Sequence, residues 1–451
     1  MAGESRSFGR SAGTLSAGVA AAGVLTYVYF AIASHNLDAT AYGEVVVLWS
    51  AVFVTIAVLH RPVEQLISRG IAERRARDQP VGDVLRGAAV IQTAIAAAFA
   101  VLALALRGPI QDELLSGSET MYWIYVGAVL AFAASFFARG YLAGDGRFGL
   151  LAALLVSESV SRLAFSLAVA VGIAAGRDAV AAGIIAAPLF SLLVVPPALR
   201  RRADIGARAP GSPPRGPPAE RARGGAFAAA VFVVMLSEQV FLNGGPLLLR
   251  AFEGAAAAGF IFNVLMLARA PLLVFQGIAI SLLPHLTRLR SRGGGEAEAA
   301  FSLSVGNTLR AVAAFTALVA ALVAVAGPKL MQLAFGDRFE YDRAGLLIVT
   351  VGMGLYLAST TLNQAALAQG QARRAAICWG ACAAGFLAWG LIEIVNDPAR
   401  RIEVGFAAAA AVLCALLWRA YTDPRARPGD ELAPGSAEEI EARLALADEA
   451  S

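Results

Sequence analysis

Apolar residues in this chain come in long, nearly unbroken runs separated by short polar connections. They show neither the alternation of a barrel strand nor the single stripe of a surface helix. The run GAAVIQTAIAAAFAVLALAL at 87–106 is of the length that crosses the hydrocarbon core. Only helices and closed barrels satisfy every backbone group in lipid, so such runs are spanning helices. The spacing predicts twelve, at 14–34, 43–67, 87–106, 121–143, 149–173, 180–199, 225–249, 258–284, 301–326, 343–368, 375–395 and 402–420. The first reads as a retained helix rather than a cleaved leader, since no clean small-residue cleavage site follows His35. The expected architecture is an all-α membrane protein of about twelve transmembrane helices in two pseudo-symmetric six-helix lobes. The lobes are 1–199 and 225–420, with a linker at 200–224 and a tail at 421–451.

The linker, PGSPPRGPPAERARGG in its latter part, is too rich in Arg, Pro and Gly to bury a core. In the tail, 436–447 reads as a short solvated helix. A weak internal repeat supports the division. ATAYGEVV (39–46) aligns with AAAAGFIF (255–262), placing Gly43 on Gly259 at the start of the second helix of each half. GDGR (144–147) aligns with GQAR (370–373), each after the fourth helix of its half.

Composition agrees with the pattern: 58% of residues are hydrophobic and only 16% charged, where soluble domains carry roughly 25% charge. The connections between helices give orientation. One set, which includes both termini, holds 26 Arg and Lys, and the other holds 8, so both termini are expected on the cytoplasmic face of the inner (cytoplasmic) membrane. The positive charge thus serves topology, and no nucleic-acid partner is implied. Cys378, Cys382 and Cys414 all lie in apolar runs, offering neither a loop disulfide nor a metal set. There is no DxD, HExxH or P-loop and no long external loop, the largest being 327–343, so no catalytic residue, metal or cofactor is expected.

Four stretches carry a family resemblance: LDATAYGEVVVLWSAVF (37–53), EGAAAAGFIFNVLMLARAPLLVFQGIAISLLPHLTRL (253–289), FGDRFEYDRAGLLIVTVG (335–352) and LNQAALAQGQARRA (362–375). In them the chain resembles the multidrug/oligosaccharidyl-lipid/polysaccharide exporter superfamily, and within it the Wzx-type flippases of bacterial polysaccharide biosynthesis. The resemblance implies a cavity between two lobes and alternating access. It also implies a lipid-linked (polyprenyl pyrophosphate) oligosaccharide as cargo, moved for cell-surface polysaccharide synthesis. Membrane lipids, and H+ or Na+ as coupling ion, would be the other partners, and the fold needs no second subunit to form its cavity. The alternative is a MATE-type cation-coupled multidrug exporter, which would favour carboxylates without arginines in the cavity.

Charges inside spans cost at least about 2.5–3.5 kcal/mol each at the membrane centre, so they are functional candidates. Arg269 sits mid-helix just before Pro271, and its planar fork suits a pyrophosphate; it either meets ligand or pairs with a carboxylate. The related lipid II flippases place a cationic side chain on this helix. Glu158 and Arg162, at i and i+4, either neutralise each other or form a titratable switch. Glu238 is a candidate for ion or proton coupling or for counter-ion to Arg269, and the following Asn243-Gly244-Gly245-Pro246 is expected to break its helix and face the cavity. Arg61 and Arg139 either mark cytoplasmic helix ends or, being near the cavity mouth in this family, meet an incoming headgroup as substrate-binding residues. Arg310 is read as snorkelling, and His60 as a hydrogen-bonded interface residue.

Overall fold

A computed structural model of the chain describes residues 2–75, 79–194, 218–269, 295–339 and 341–423. Among them there is no strand, and thirteen α-helices carry the fold. In the first half these are α1 (Ala2–Asn36), α2 (Ala39–Leu59), α3 (Arg61–Arg75), α4 (Gly82–Ala105), α5 (Glu119–Gly144), α6 (Phe148–Ala170) and α7 (Gly176–Ser191). In the second they are α8 (Pro218–Glu253), α9 (Ala255–Arg269), α10 (Gly295–Phe335), α11 (Arg343–Ala368), α12 (Ala372–Leu391) and α13 (Pro398–Thr422). Ten are long and apolar enough to cross a membrane. The shorter α7 and α9 occupy the other two predicted spans, and the predicted continuation of α9 through Pro271 to 284 lies outside the described residues. So do most of the linker and the tail beyond Asp423.

Starts are written in side chains. Asp38 accepts from the Thr40 and Ala41 amides at 3.0 and 2.9 Å, Ser118 from Met121 at 3.2 Å, and Asp397 from Ala399 at 2.9 Å, with Pro398 opening α13. Asp342 caps α11 through the Gly345 amide at 3.2 Å. Partial burial tends to raise its carboxyl, but bonds from Arg400 and Gly345 outweigh that and hold it below the usual carboxylate range.

The predicted span 43–67 is too long at its C-terminal end. α2 stops at Leu59, and after His60 the polar α3 buries Val63, Ile67 and Ile71 while leaving Arg69 exposed. α3 rides against α5 because α5 offers glycine there: a Cβ on Gly140 would lie 2.8 Å from the Glu64 carbonyl, and one on Gly144 2.6 Å from that of Ser68. Two further expectations change. α10 runs on to Phe335, shrinking the largest external loop to 336–342. α8 continues unbroken through Asn243 and Pro246, because a single proline removes only one ladder bond and Gly245 lets the helix pack close to Ile402.

Within the first half α1 packs on α6, α6 on α7, and α3 on α5; within the second, α8 packs on α12, α11 on α13, and α10 on α11. α2 against α8 and α1 against α10 join the halves. Many described contacts between halves gather at one membrane face, here called the closed face, where α2 and α9 begin. There the repeated glycines meet: a Cβ on Gly259 would lie 2.9 Å from the Gly43 Cα, and one on Gly43 would collide with the Ala255 carbonyl. Around the crossing Tyr42 donates its hydroxyl to the Asn263 carbonyl oxygen, and Phe30 packs against Phe262 with the rings tilted and centroids 4.6 Å apart. Arg250 reaches across to the Leu114 carbonyl at 3.1 Å and the Ser116 hydroxyl at 3.0 Å. The second repeat is less literal. The turns after α5 and α11 use Gly146 (φ 72°) and Gly370 (φ 79°), whereas the aligned Gly144 serves the α3 contact.

This crossing leaves no room for a side chain. Gly43→Leu is expected to lower stability by about 1–3 kcal/mol, read as a fall in melting temperature of the purified protein. Gly385→Leu, on an exposed surface with nothing within 4 Å, is the control and should melt like the parent. Equal melting of both variants would exclude the close crossing.

Candidate functional site

A cavity of about 320 Å³ opens between the halves, and its wall holds Arg139, Glu158, Arg162 and Arg269. α1, α2, α5 and α6 supply one side, while α9 supplies Phe262, Met266 and Arg269 on the other. Three guanidiniums therefore face one carboxylate.

The carboxylate is heavily engaged. Glu158 on α6 is buried, accepts a hydrogen bond from Ser135 at 2.5 Å and a longer one from Ser191 at 3.3 Å, and forms an ion pair with Arg139. Arg139 is thus not a marker of the helix end. It lies within α5, one turn beyond Ser135, with its guanidinium 4.5 Å from the Phe136 ring centre. The i, i+4 pairing expected between Glu158 and Arg162 is replaced by this cross-helix pair, since α5 brings a guanidinium to Glu158 directly.

Arg162 stays in the field of Glu158 without a direct ion pair to it, and is held by aromatic faces. Its guanidinium lies 4.5 Å from the Trp49 ring centre and 5.8 Å from that of Phe53, and its Nη1 donates to Thr26 at 3.3 Å. The Arg162 Nε finds no acceptor. Arg269, the last described residue of α9, is freer still: Nε and Nη2 are both shielded from solvent and without hydrogen-bond partners among the described residues. Its titratable neighbour is Tyr356, a neutral phenol, and among the described residues Glu238 does not act on it as the expected counter-ion.

Arg61 and Glu238 belong together instead. Arg61, opening α3, is half-buried and outside the cavity wall, and its charge acts on Glu64 in its own half and on Glu238 and Tyr356 in the other. Glu64 in turn lies in the fields of Arg139 and Glu158. Charges of alternating sign therefore run Glu158, Arg139, Glu64, Arg61, Glu238 across the boundary between halves. Glu64 was missed in the sequence because it stands in an ordinary amphipathic segment; the glycines at 140 and 144 were the available signal. Asn243 is buried, donates to Gln239 at 3.0 Å, and is not in the cavity wall. His60 is buried and bonded on both ring nitrogens, to the Val129 carbonyl at 3.0 Å and the Gln92 amide at 2.7 Å. No cluster among the described residues has the composition of a metal site.

Removing one partner of a buried pair strands the other. Glu158→Gln is expected to destabilise the protein by about 3–5 kcal/mol, and Glu158→Gln with Arg139→Met should recover much of it. Melting temperatures of the single and double variants check this; no recovery would mean that the serines, not Arg139, give Glu158 its role.

No protein-family model matches the chain, and no curated protein matches it by sequence. Solved structures do match in fold. An inward-facing multidrug resistance MATE family transporter of the MOP superfamily superposes with a TM-score of 0.67 at 17% identity, covering 88% of this chain and 93% of that one. The MATE transporter VcmN of Vibrio cholerae gives 0.64 at 18% identity, covering 92% and 95%. A eukaryotic MATE transporter gives 0.64 at 12% identity, covering 98% of each. The chain has the twelve-helix, two-lobed fold of the MATE transporters.

Proposed function

We propose that this chain is a multi-pass membrane exporter that carries its cargo through the cavity between its halves by alternating access. The shared fold supports a MATE-type reading, because the matched structures are named as MATE transporters, one of them as a multidrug resistance protein. The narrower reading as a flippase for lipid-linked oligosaccharide has no counterpart among them, and what favours it is the charge of the cavity. Arg269 carries that argument: a guanidinium whose Nε and Nη2 are shielded and unpartnered among the described residues is poised for an anion. An organic cation would meet three guanidiniums and a carboxylate already consumed by Arg139. The proposed cargo is therefore an amphiphile with an anionic group, taken up by an exporter of MATE type. A polyprenyl pyrophosphate saccharide is the most specific member of that class and stands as the second reading.

Glu238 is the carboxylate proposed for coupling to H+ or Na+, since among the described residues it lies in the field of Arg61, beside Tyr356, where Glu158 has three donors. The arginine bias of the connections supports an inner-membrane location with cytoplasmic termini. One chain contributes both walls of the cavity, so a monomer suffices, and no chemical step is assigned to it.

Uptake into proteoliposomes decides between cargoes. Loss of a charge-assisted contact in Arg269→Gln is expected to slow transport of an anionic, pyrophosphate-bearing amphiphile about tenfold or more. Ethidium transport that proceeds in the parent and is unchanged in Arg269→Gln, with no uptake of the anionic probe, would overturn the anionic assignment and leave the cation exporter.

A further inference from the structure

A second cavity, of about 410 Å³, lies away from the central one, between the first turns of α10 and the last turns of α13. Its wall includes Ser302, Gly306 and Arg310 from α10 and Trp418 and Tyr421 from α13. Neither the central pathway nor the contacts between halves use these residues.

Its depth follows from the sequence. Arg310 directly precedes the apolar stretch 311–327, which spans about 25 Å as helix, close to the hydrocarbon thickness of a bilayer. The segment on its other side, 299–309, carries Ser302, Ser304, Asn307 and Thr308. Arg310 therefore stands where hydrocarbon gives way to headgroups. Trp418 and Tyr421 stand at the same level, and such aromatic residues favour that layer. Leu318, about two turns into the apolar stretch, is 67% exposed, so this side of α10 faces acyl chains beyond Arg310.

The arginine is available. Its guanidinium is exposed, and its one described bond is from Nη1 to the Asn307 carbonyl oxygen at 3.0 Å. Carboxylates in the vicinity are engaged: Asp423 pairs with Arg374 at 3.2 Å, and Glu298, next to the wall residue Ala299, also has a partner. Gly306 and Ser302 keep the floor low, and nothing lies within 4 Å of a Cβ built on Gly306.

We infer that this groove binds an anionic phospholipid, its phosphate on Arg310 beside the touching rings of Trp418 and Tyr421 and an acyl chain along the α10 surface. A guanidinium supplies a forked donor to phosphate, and the aromatic rings hold the glycerol level. Charge complementarity selects an anionic lipid over a zwitterionic one. The site is independent of the cargo reading.

Titrating phosphatidylglycerol into the full-length protein in neutral detergent, with melting temperature as readout, tests this. A saturable rise is expected for the parent and for Arg269→Gln. In Arg310→Gln the half-saturating concentration should rise about tenfold, and Gly306→Trp, which fills the groove without displacing a neighbour, should abolish the saturable response. An equal response to phosphatidylcholine, the same rise from inorganic phosphate alone, or an unaltered titration in both groove variants would overturn the assignment. A response lost in Arg269→Gln but kept in Arg310→Gln would also overturn it, by placing the lipid in the central cavity.

Discussion

A guanidinium cannot stay in hydrocarbon without water, an anion or an aromatic face around it, and this requirement organises the centre of the molecule. Arg139 meets it with Glu158, and Arg162 with Trp49, Phe53 and Thr26. Arg269 meets it with nothing comparable among the described residues. Three arginines at one cavity thus form a graded series, from fully compensated to uncompensated. The uncompensated one stands on the opposite half from the other two, so an anion bound there would bridge the two halves. Under the proposed alternating access, cargo binding and lobe position would be linked by the same charge.

Most of the fold was legible because hydrophobic length is a local property. The limits of α11 match the predicted 343–368, and most other helices start a few residues before the predicted run, next to capping residues such as Asp38, Ser118 and Asp397, while α6, α7 and α12 end short of it at Ala170, Ser191 and Leu391. What failed did so where long-range packing overrides local pattern. The second span was drawn to 67 because Val63 and Ile67 look apolar in line, yet they face α5 through Gly140 and Gly144 rather than lipid. Pro246 was read as a break, but the helix accommodates it.

The site was half legible. Charged residues inside apolar runs identified Glu158, Arg162 and Arg269 as buried without any knowledge of the fold. Their partners were not readable, since an i, i+4 spacing says which groups can meet along one helix and nothing about what a neighbouring helix presents. Arg139 was counted with a connection although it lies within α5, and its bond to Glu158 depends on how α5 and α6 face each other. Asn243, singled out for a helix break that does not occur, binds Gln239 one turn away.

The glycine-to-glycine crossing also has a mechanical meaning. Helices that touch through bare backbone have no interdigitated ridges there to hold their angle, so the contact can act as a fulcrum. From Gly43 to Leu59, α2 extends roughly 24 Å beyond it. A roll of about ten degrees would then swing the far end through roughly 4 Å, a lever in which a small rotation at the seal becomes a displacement at the opposite rim comparable to the width of a side chain.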